Sequence, residues 1–156
     1  YEIRPRDWSS DVCSSDLNEV AGEMKERGWG RIINLASLSV KQPVDGLILS
    51  NTIRAAVIGF AKTAATELAP YNVTVNNVCP GLIHTDRIAE IAGARAAANG
   101  TSEEDEMAAM AATIPMGRLG DPAEFANVAV FLASEAACYV TGATVQVDGG
   151  VVKSLL

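Results

Sequence analysis

Apolar positions along the chain follow two rhythms, and the changes between them mark its elements. Asn18 to Arg27 (NEVAGEMKER) has the spacing of the last turns of a helix, stopped at Gly28. Arg31 to Ala36 (RIINLA) is a short, nearly continuous apolar run, which predicts a strand buried on both faces. Pro43 and Gly46 break the chain after it. Ile53, Val57, Phe60, Ala64 and Leu68 then form one apolar stripe at helical spacing, in a long helix over 47–69 that Pro70 ends. Val73, Val75 and Val78 predict a second strand, stopped by Pro80-Gly81. Two Ala-rich helical stretches follow, at 86–98 and 102–113, the second opening with the capping-box spacing of Thr101 and Glu104. Asp121-Pro122-Ala123-Glu124 starts another helix, with Pro in its first turn and Phe125, Val128, Ala129 and Leu132 on one face. Ala143, Val145 and Val147 alternate as a last strand, and Asp148-Gly149-Gly150 turns out of it.

Strands separated by helices need crossover connections, so the pattern predicts an α/β fold with a parallel sheet covered on both faces. Right-handed crossovers make this the second half of a doubly wound sheet, N-terminally truncated. Residues 18–156 read as part of a single domain, without internal repeat or linker. Residues 1–17 (YEIRPRDWSSDVCSSDL) stand apart: they carry two Ser-Ser pairs and no amphipathic period. They resemble one reading frame of a short-read sequencing adapter. The expectation is a non-native, poorly packed segment in which Trp8 and Cys13 carry no meaning.

Composition narrows the classes. Of 156 residues, 49% are hydrophobic and 20% charged, which excludes a disordered chain. The net charge of -7 makes nucleic acid and anionic lipid poor partners. No apolar run approaches the roughly 20 residues of a membrane span. Cys13, Cys79 and Cys138 form neither a disulfide framework nor a CxxC zinc pattern, so buried thiols in a reducing, cytoplasmic setting are expected, with no metal site.

Four motifs then converge. Gly30–Ser37 is GRIINLAS. Val73–Gly81 is VTVNNVCPG, continued by Leu82-Ile83-His84-Thr85-Asp86. Ile114–Gly120 is IPMGRLG, continued by DPAEFANVAVFLAS. Ala137–Gly150 is ACYVTGATVQVDGG. Their order and spacing resemble the C-terminal part of a short-chain dehydrogenase/reductase, in a divergent 3-oxoacyl-carrier-protein-reductase-like branch. The resemblance covers Asn18 to about Val151, a little over half of such a protein. It implies a Rossmann-like fold and an NAD(P)-dependent oxidoreductase acting on a small carbonyl or alcohol substrate, working as a homo-oligomer. The family's Gly-rich cofactor turn is absent from the sequence. Truncation is therefore expected, with weak or no dinucleotide binding by this chain alone.

The family's active site pairs a Ser after the first of these strands with a Tyr-x-x-x-Lys on the next helix. The phenol, with an unperturbed pKa of about 10, moves the proton of the substrate oxygen. The Lys one turn along lowers that pKa and holds the nicotinamide ribose. Ser37 matches the family's Ser. Counted back from Val57-Ile58-Gly59-Phe60, the Tyr position holds Ser50 and the Lys position Arg54. The spacing survives and the acidity does not; Arg54 keeps a charge that can bond a ribose or phosphate. The replacement within Leu-Ser-Asn-x-x-Arg resembles that of the divergent branch. Tyr71 and Tyr139 do not take over by position, and the family's catalytic Asn falls inside the adapter-like segment. Pro80, Gly81, Ile83 and Thr85 resemble the nicotinamide-contacting loop, with the Ile83 backbone and the Thr85 hydroxyl towards the carboxamide.

Other residues have plainer readings beside the functional ones. His84 is the single histidine and a candidate replacement acid, at a position where the family varies. Cys79 reads as a small packed hydrophobe, and Glu103 to Glu106 as a helix N-terminus favoured by its dipole. The Ala-rich helices occupy the family's substrate-covering insertion and are expected to form a mobile lid. Ala55, Ala56, Ala61 and Ala65 give the long helix a small-residue face like that through which the family dimerises. Three readings remain open: an oxidoreductase, a non-catalytic dinucleotide sensor or scaffold, and an inactive chimeric fragment.

Overall fold

The computed structural model describes residues 12–155, with side chains from Glu19 onward. Residues 1–11 of the segment set apart on composition, Trp8 included, lie outside the described residues, as does the side chain of Cys13. Helix α1 spans Val12–Arg27, six residues earlier than the spacing from Asn18 implies. Nothing between Val12 and Leu17 interrupts it, since the stretch holds neither Gly nor Pro. Gly28, at φ 65°, ends the helix as a left-handed cap.

Strands β1 (Gly30–Leu35), β2 (Val73–Pro80) and β3 (Thr144–Val147) form one parallel sheet in the order β1-β2-β3. Ile32 pairs with Val75 and Val78 with Val145. Helix α2 (Ile48–Leu68) joins β1 to β2. The hairpin α3 (Asp86–Asn99) and α4 (Glu103–Ala112), then α5 (Pro122–Ala133), lead to β3. Alternation along each strand sends successive side chains to opposite faces, and each face has its own helices. On one, Ala21 and Met24 of α1 and Phe60, Ala61, Ala64, Ala65 and Leu68 of α2 pack on Ile32, Val73 and Val75. On the other, Phe125, Val128 and Leu132 of α5 pack with Ile33, Val78, Val145 and Val147. β2 lies between two strands and two helical layers and is buried from Val73 to Cys79.

Several expectations change. β1 is not buried on both faces: it is an edge strand among the described residues, and Leu35 is 67% exposed. The α2 stripe does not begin at Ile53, which is 63% exposed. The inward face runs instead through Arg54, Val57, Ala61, Ala64, Ala65 and Leu68, so an arginine takes the place next to the sheet. Ala61 and Ala65 are spent on this internal core, leaving Ala55 and Ala56 on the outer surface. The cap of α4 is Ser102, one residue past Thr101: Ser102 Oγ accepts from Asp105 N at 3.0 Å, and Asp105 Oδ2 accepts from Ser102 N. Thr101 donates its hydroxyl to Glu106 instead, at 2.8 Å. The Asp121 cap of α5 forms as read, Oδ1 accepting from Ala123 N at 2.8 Å and Glu124 Oε2 accepting from Asp121 N at 2.7 Å. α3 and α4 pack mainly on each other, with Ala92, Ala96 and Met110 buried.

Candidate functional site

The candidate residues gather at the carboxyl ends of β1 and β2, where a doubly wound sheet opens to ligands. Ser37 follows β1 in extended conformation, φ -161° and ψ 156°, and caps a short 3-10 turn over Leu38–Val40. Its Oγ accepts from Ser39 N at 3.2 Å, which leaves the hydroxyl proton to donate elsewhere. Ser50 and Arg54 lie one turn apart on α2, and Arg54 Nε donates to Ser50 Oγ at 3.1 Å. The same guanidinium donates to the carbonyl of Ala36 at 2.7 Å, next to Ser37. Arg54 thus ties the start of α2 to the end of β1.

Cys79 brings in the second strand. Its side chain is fully buried, and burial raises the thiol pKa, opposed by the backbone N–H of Ser37. Lys41 and Arg54 also act to lower it and Asp148 to raise it, so these groups share one electrostatic neighbourhood. A buried thiol with a raised pKa is a poor nucleophile.

After Pro80 the chain turns under a tight constraint. Gly81 N donates to Val147 O at 3.0 Å, and a Cβ on Gly81 would lie 2.7 Å from Cα of Asp148. The Asp148 carboxylate holds the outgoing turn by accepting from Gly150 N and Val152 N, both at 2.9 Å. Ile83 forms an isolated parallel bridge with Gly120: Gly120 N donates to Leu82 O at 3.0 Å, and His84 N donates to Gly120 O at 2.8 Å. In that pattern the bridging residue spends neither its own N–H nor its own C=O on the partner. The backbone pair of Ile83 points away from Gly120, with the exposed Thr85 hydroxyl donating to Ile83 O at 3.4 Å. An adjacent donor and acceptor fit a carboxamide, so the residues present suit the nicotinamide end of the implied cofactor. The pyrophosphate end has no Gly-rich turn in the sequence. His84 is exposed, and Glu103 to Glu106 form the first turn of α4.

The site thus joins Ser37, Ser50 and Arg54 by direct bonds or adjacency, and Cys79 leads to Pro80 and Gly81. Ile83 and Thr85 sit further along the loop, with the Ile83 side chain laid over Gly120. Sequence reasoning missed the polar ladder beneath this floor. Asn34 donates to Asn77 Oδ1 at 3.0 Å, and Asn77 donates to Thr144 Oγ1 at 3.2 Å. Asn76, on the opposite face, donates to Val140 O and accepts from Ala143 N. Two consecutive Asn residues inside a valine-rich strand were the available signal, because a buried amide needs partners.

Comparison with known proteins identifies the family. Residues 15–152 match the family described as Enoyl-(Acyl carrier protein) reductase. The 3-oxoacyl-[acyl-carrier-protein] reductase of Aquifex aeolicus is 42% identical over 133 residues, covering 85% of this chain and 49% of that protein. An NADPH-dependent reductase of Bacillus subtilis is 39% identical over 139 residues, covering 89% of this chain and 54% of its own length. The crystal structure of L-sorbose reductase from Gluconobacter frateurii, complexed with NADPH and L-sorbose, superposes with a TM-score of 0.86 at 35% identity, over 95% of this chain and 57% of that one. The chain spans about half the length of these relatives. With the parallel sheet, the ordered motifs and the match over most of its residues, the chain belongs to the short-chain dehydrogenase/reductase family, with a 3-oxoacyl-carrier-protein-reductase-like sequence.

Proposed function

We propose that this chain supplies the substrate-facing part of an NAD(P)-dependent oxidoreductase acting on a small carbonyl or alcohol compound. The observation that carries the reading is the backbone pair of Ile83, which its bridge to Gly120 leaves off that partner, the N–H open and the C=O accepting the Thr85 hydroxyl at 3.4 Å. That pair would accept and donate to a carboxamide, with Thr85 beside it. When bound, NAD or NADP supplies the hydride donor or acceptor; relatives named for NADPH support NADP. Ser37 donates its free hydroxyl proton to the substrate oxygen, since its lone pair is held by Ser39 N. Arg54 fixes Ser50 and the end of β1 and offers its remaining N–H groups to a ribose or an anion. Pro80 and Gly81 hold the loop at the strand end.

A second reading is favoured by Ser50. An aliphatic hydroxyl is a far weaker acid than a phenol of pKa about 10, so the site would hold an oxygen without efficiently protonating it. A non-catalytic dinucleotide sensor or scaffold then results. Exposed Ile48, Leu49 and Ile53 on α2, beside Ala55 and Ala56, support association into a homo-oligomer through that helix. The free thiols support a reducing, cytoplasmic setting, although only Cys79 is buried as expected and Cys138 is exposed.

The test is a titration of NADPH and NADH, by nicotinamide fluorescence, into this chain and into a longer protein carrying a Gly-rich first half. Ketone reduction is then followed by loss of NADPH absorbance. Binding with turnover supports the oxidoreductase. Binding without turnover supports the second reading, and absence of saturable binding in the longer protein removes both.

A further inference from the structure

We propose that Asn99-Gly100, the joint between α3 and α4, is a self-modifying site: Asn99 loses its side-chain amide as ammonia, and the carboxylate left behind opens the turn between the two helices. The inference goes beyond the oxidoreductase reading and does not depend on it.

The first observation is the sequence at the joint. Of the eight asparagines, Asn99 alone precedes a glycine. A glycine puts no Cβ between its own backbone nitrogen and the preceding side chain, and its backbone turns most freely. The Gly100 nitrogen is therefore the least hindered neighbour for attack on an asparagine side chain. Asn99 is the last residue of α3, both residues are exposed, and helix ends fray first. Gly100 caps the helix at φ 70°, with its N–H donating to Ala96 O at 2.9 Å. Fraying breaks that bond and frees the nitrogen.

The steps balance with water as the one co-reactant. The Gly100 nitrogen bonds to Cγ of Asn99, the Cγ–Nδ2 bond breaks, and ammonia leaves with the proton that the backbone nitrogen gives up. Water then opens the cyclic imide at either carbonyl, leaving an aspartate or an isoaspartate in place of Asn99. Nothing is oxidised or reduced.

The second observation is what the amide does before it is lost. Asn99 Nδ2 donates to Glu106 Oε1 at 2.9 Å, and the Thr101 hydroxyl donates to the same oxygen at 2.8 Å. One carboxylate at the start of α4 thus latches the end of α3 and the connecting turn. These bonds, that from Asn99 first, hold the Glu106 carboxyl below the usual carboxylate range. Conversion removes the donor and sets a second carboxylate against the first. A charge-assisted hydrogen bond becomes a like-charge contact. Because α3 and α4 pack mainly on each other, the latch governs how the pair is held.

The experiment ages the chain in warm, mildly alkaline buffer and digests it with trypsin at intervals. The peptide Ala96–Arg118 holds a single side-chain amide, that of Asn99, so its mass gain reports this site; Asp45-Gly46 and Asp148-Gly149 isomerise without a change of mass. Asn99 is expected to convert ahead of every other asparagine. Asn99→Asp reproduces the product. Hydrogen exchange at the Gly100 and Thr101 amides, both bonded to Ala96 O, should rise about threefold or more, the scale of one net hydrogen bond. The carbon-13 titration of the Glu106 carboxyl should move upward, with Arg95 still favouring its ionised form and Asp105 opposing it. Adding Glu106→Gln replaces the facing carboxylate by a donor and should restore slow exchange. If Asn99→Asp fails to fold, the same exchange is read on the aged chain. Conversion of other asparagines as fast as Asn99, or none at Asn99, overturns the site. Unchanged exchange in Asn99→Asp or in the aged chain, or no restoration by Glu106→Gln, overturns the latch and the proposal with it.

Discussion

Asn34 donates from Nδ2 to Oδ1 of Asn77 at 3.0 Å, across paired positions of β1 and β2. Asn77 is 1% exposed and passes the contact on to Thr144, its partner in β3. One polar rung therefore crosses the whole described sheet below the Ser37–Arg54 floor. Asn77→Ala should destabilise the chain by about 2–4 kcal/mol, through lost bonds and a cavity. Asn34→Ala, at a half-buried site, should cost about 1 kcal/mol. Urea unfolding of the double-mutant cycle should give a coupling of about 0.5–1.5 kcal/mol; zero coupling would show that the rung does not act as a unit.

Gly81 is required by contact rather than by backbone angle. An alanine Cβ there would lie 2.7 Å from Cα and 2.8 Å from Cβ of Asp148, while the Gly81–Val147 hydrogen bond resists separation. Gly81→Ala should cost about 1–3 kcal/mol in thermal unfolding and move the amide signals of Gly150 and Val152, which Asp148 holds. An unchanged melting temperature would mean that the loop and β3 separate freely.

Ser39 offers a change in the opposite direction. It is 4% exposed, and its Oγ has no hydrogen-bond partner. Ser39→Ala removes the unpaired hydroxyl and keeps the backbone N–H that Ser37 Oγ uses. The variant should gain about 1 kcal/mol in chemical denaturation. A loss would reveal a partner for that hydroxyl.

Acid should loosen the start of α5. Hydrogen bonds from Arg118, and then from the Asp121 backbone, lower the Glu124 pKa from 4.5 to about 2. A lowered folded-state pKa means stability that is present above the unfolded value and is lost as pH falls through the folded one. The contribution is therefore complete above about pH 5 and fades towards pH 2. Glu124→Gln should be less stable than the parent at neutral pH, with the gap closing on acidification; a constant gap would contradict the sign. Carbon-13 shifts of the Glu124 carboxyl should titrate over the same low range.

The cleft beside Ser50 has room for a phenol. In a longer protein that binds NADPH, the pair Ser50→Tyr and Arg54→Lys should raise ketone reduction by about a hundredfold, the scale of a positioned general acid. The gain should be read as a rise in kcat with NADPH affinity little changed. No gain in a folded, NADPH-binding variant would place Ser50 away from the reacting oxygen.

The sequence by itself determined the elements and their order. Valine-rich runs, helical spacing, Pro70, the Asp121 cap and the turns at Pro80-Gly81 and Asp148-Gly149-Gly150 are local signals, acting within a few residues. Those signals suffice for three parallel strands with crossover helices, and the ordered motifs carried the family. Tertiary structure decided what each face meets. The same apolar pattern covers Ile32 and leaves Leu35 and Ile53 open, because β1 is an edge among the described strands and α2 runs past it. It turned Arg54 inward onto Ala36, chained Asn34, Asn77 and Thr144, set Gly81 against Asp148, and turned the Ile83 backbone pair away from its bridge partner Gly120. Periodicity gives a side chain's direction about its own element's axis; the partner it finds there depends on residues tens of positions away, brought near only when the sheet closes its register.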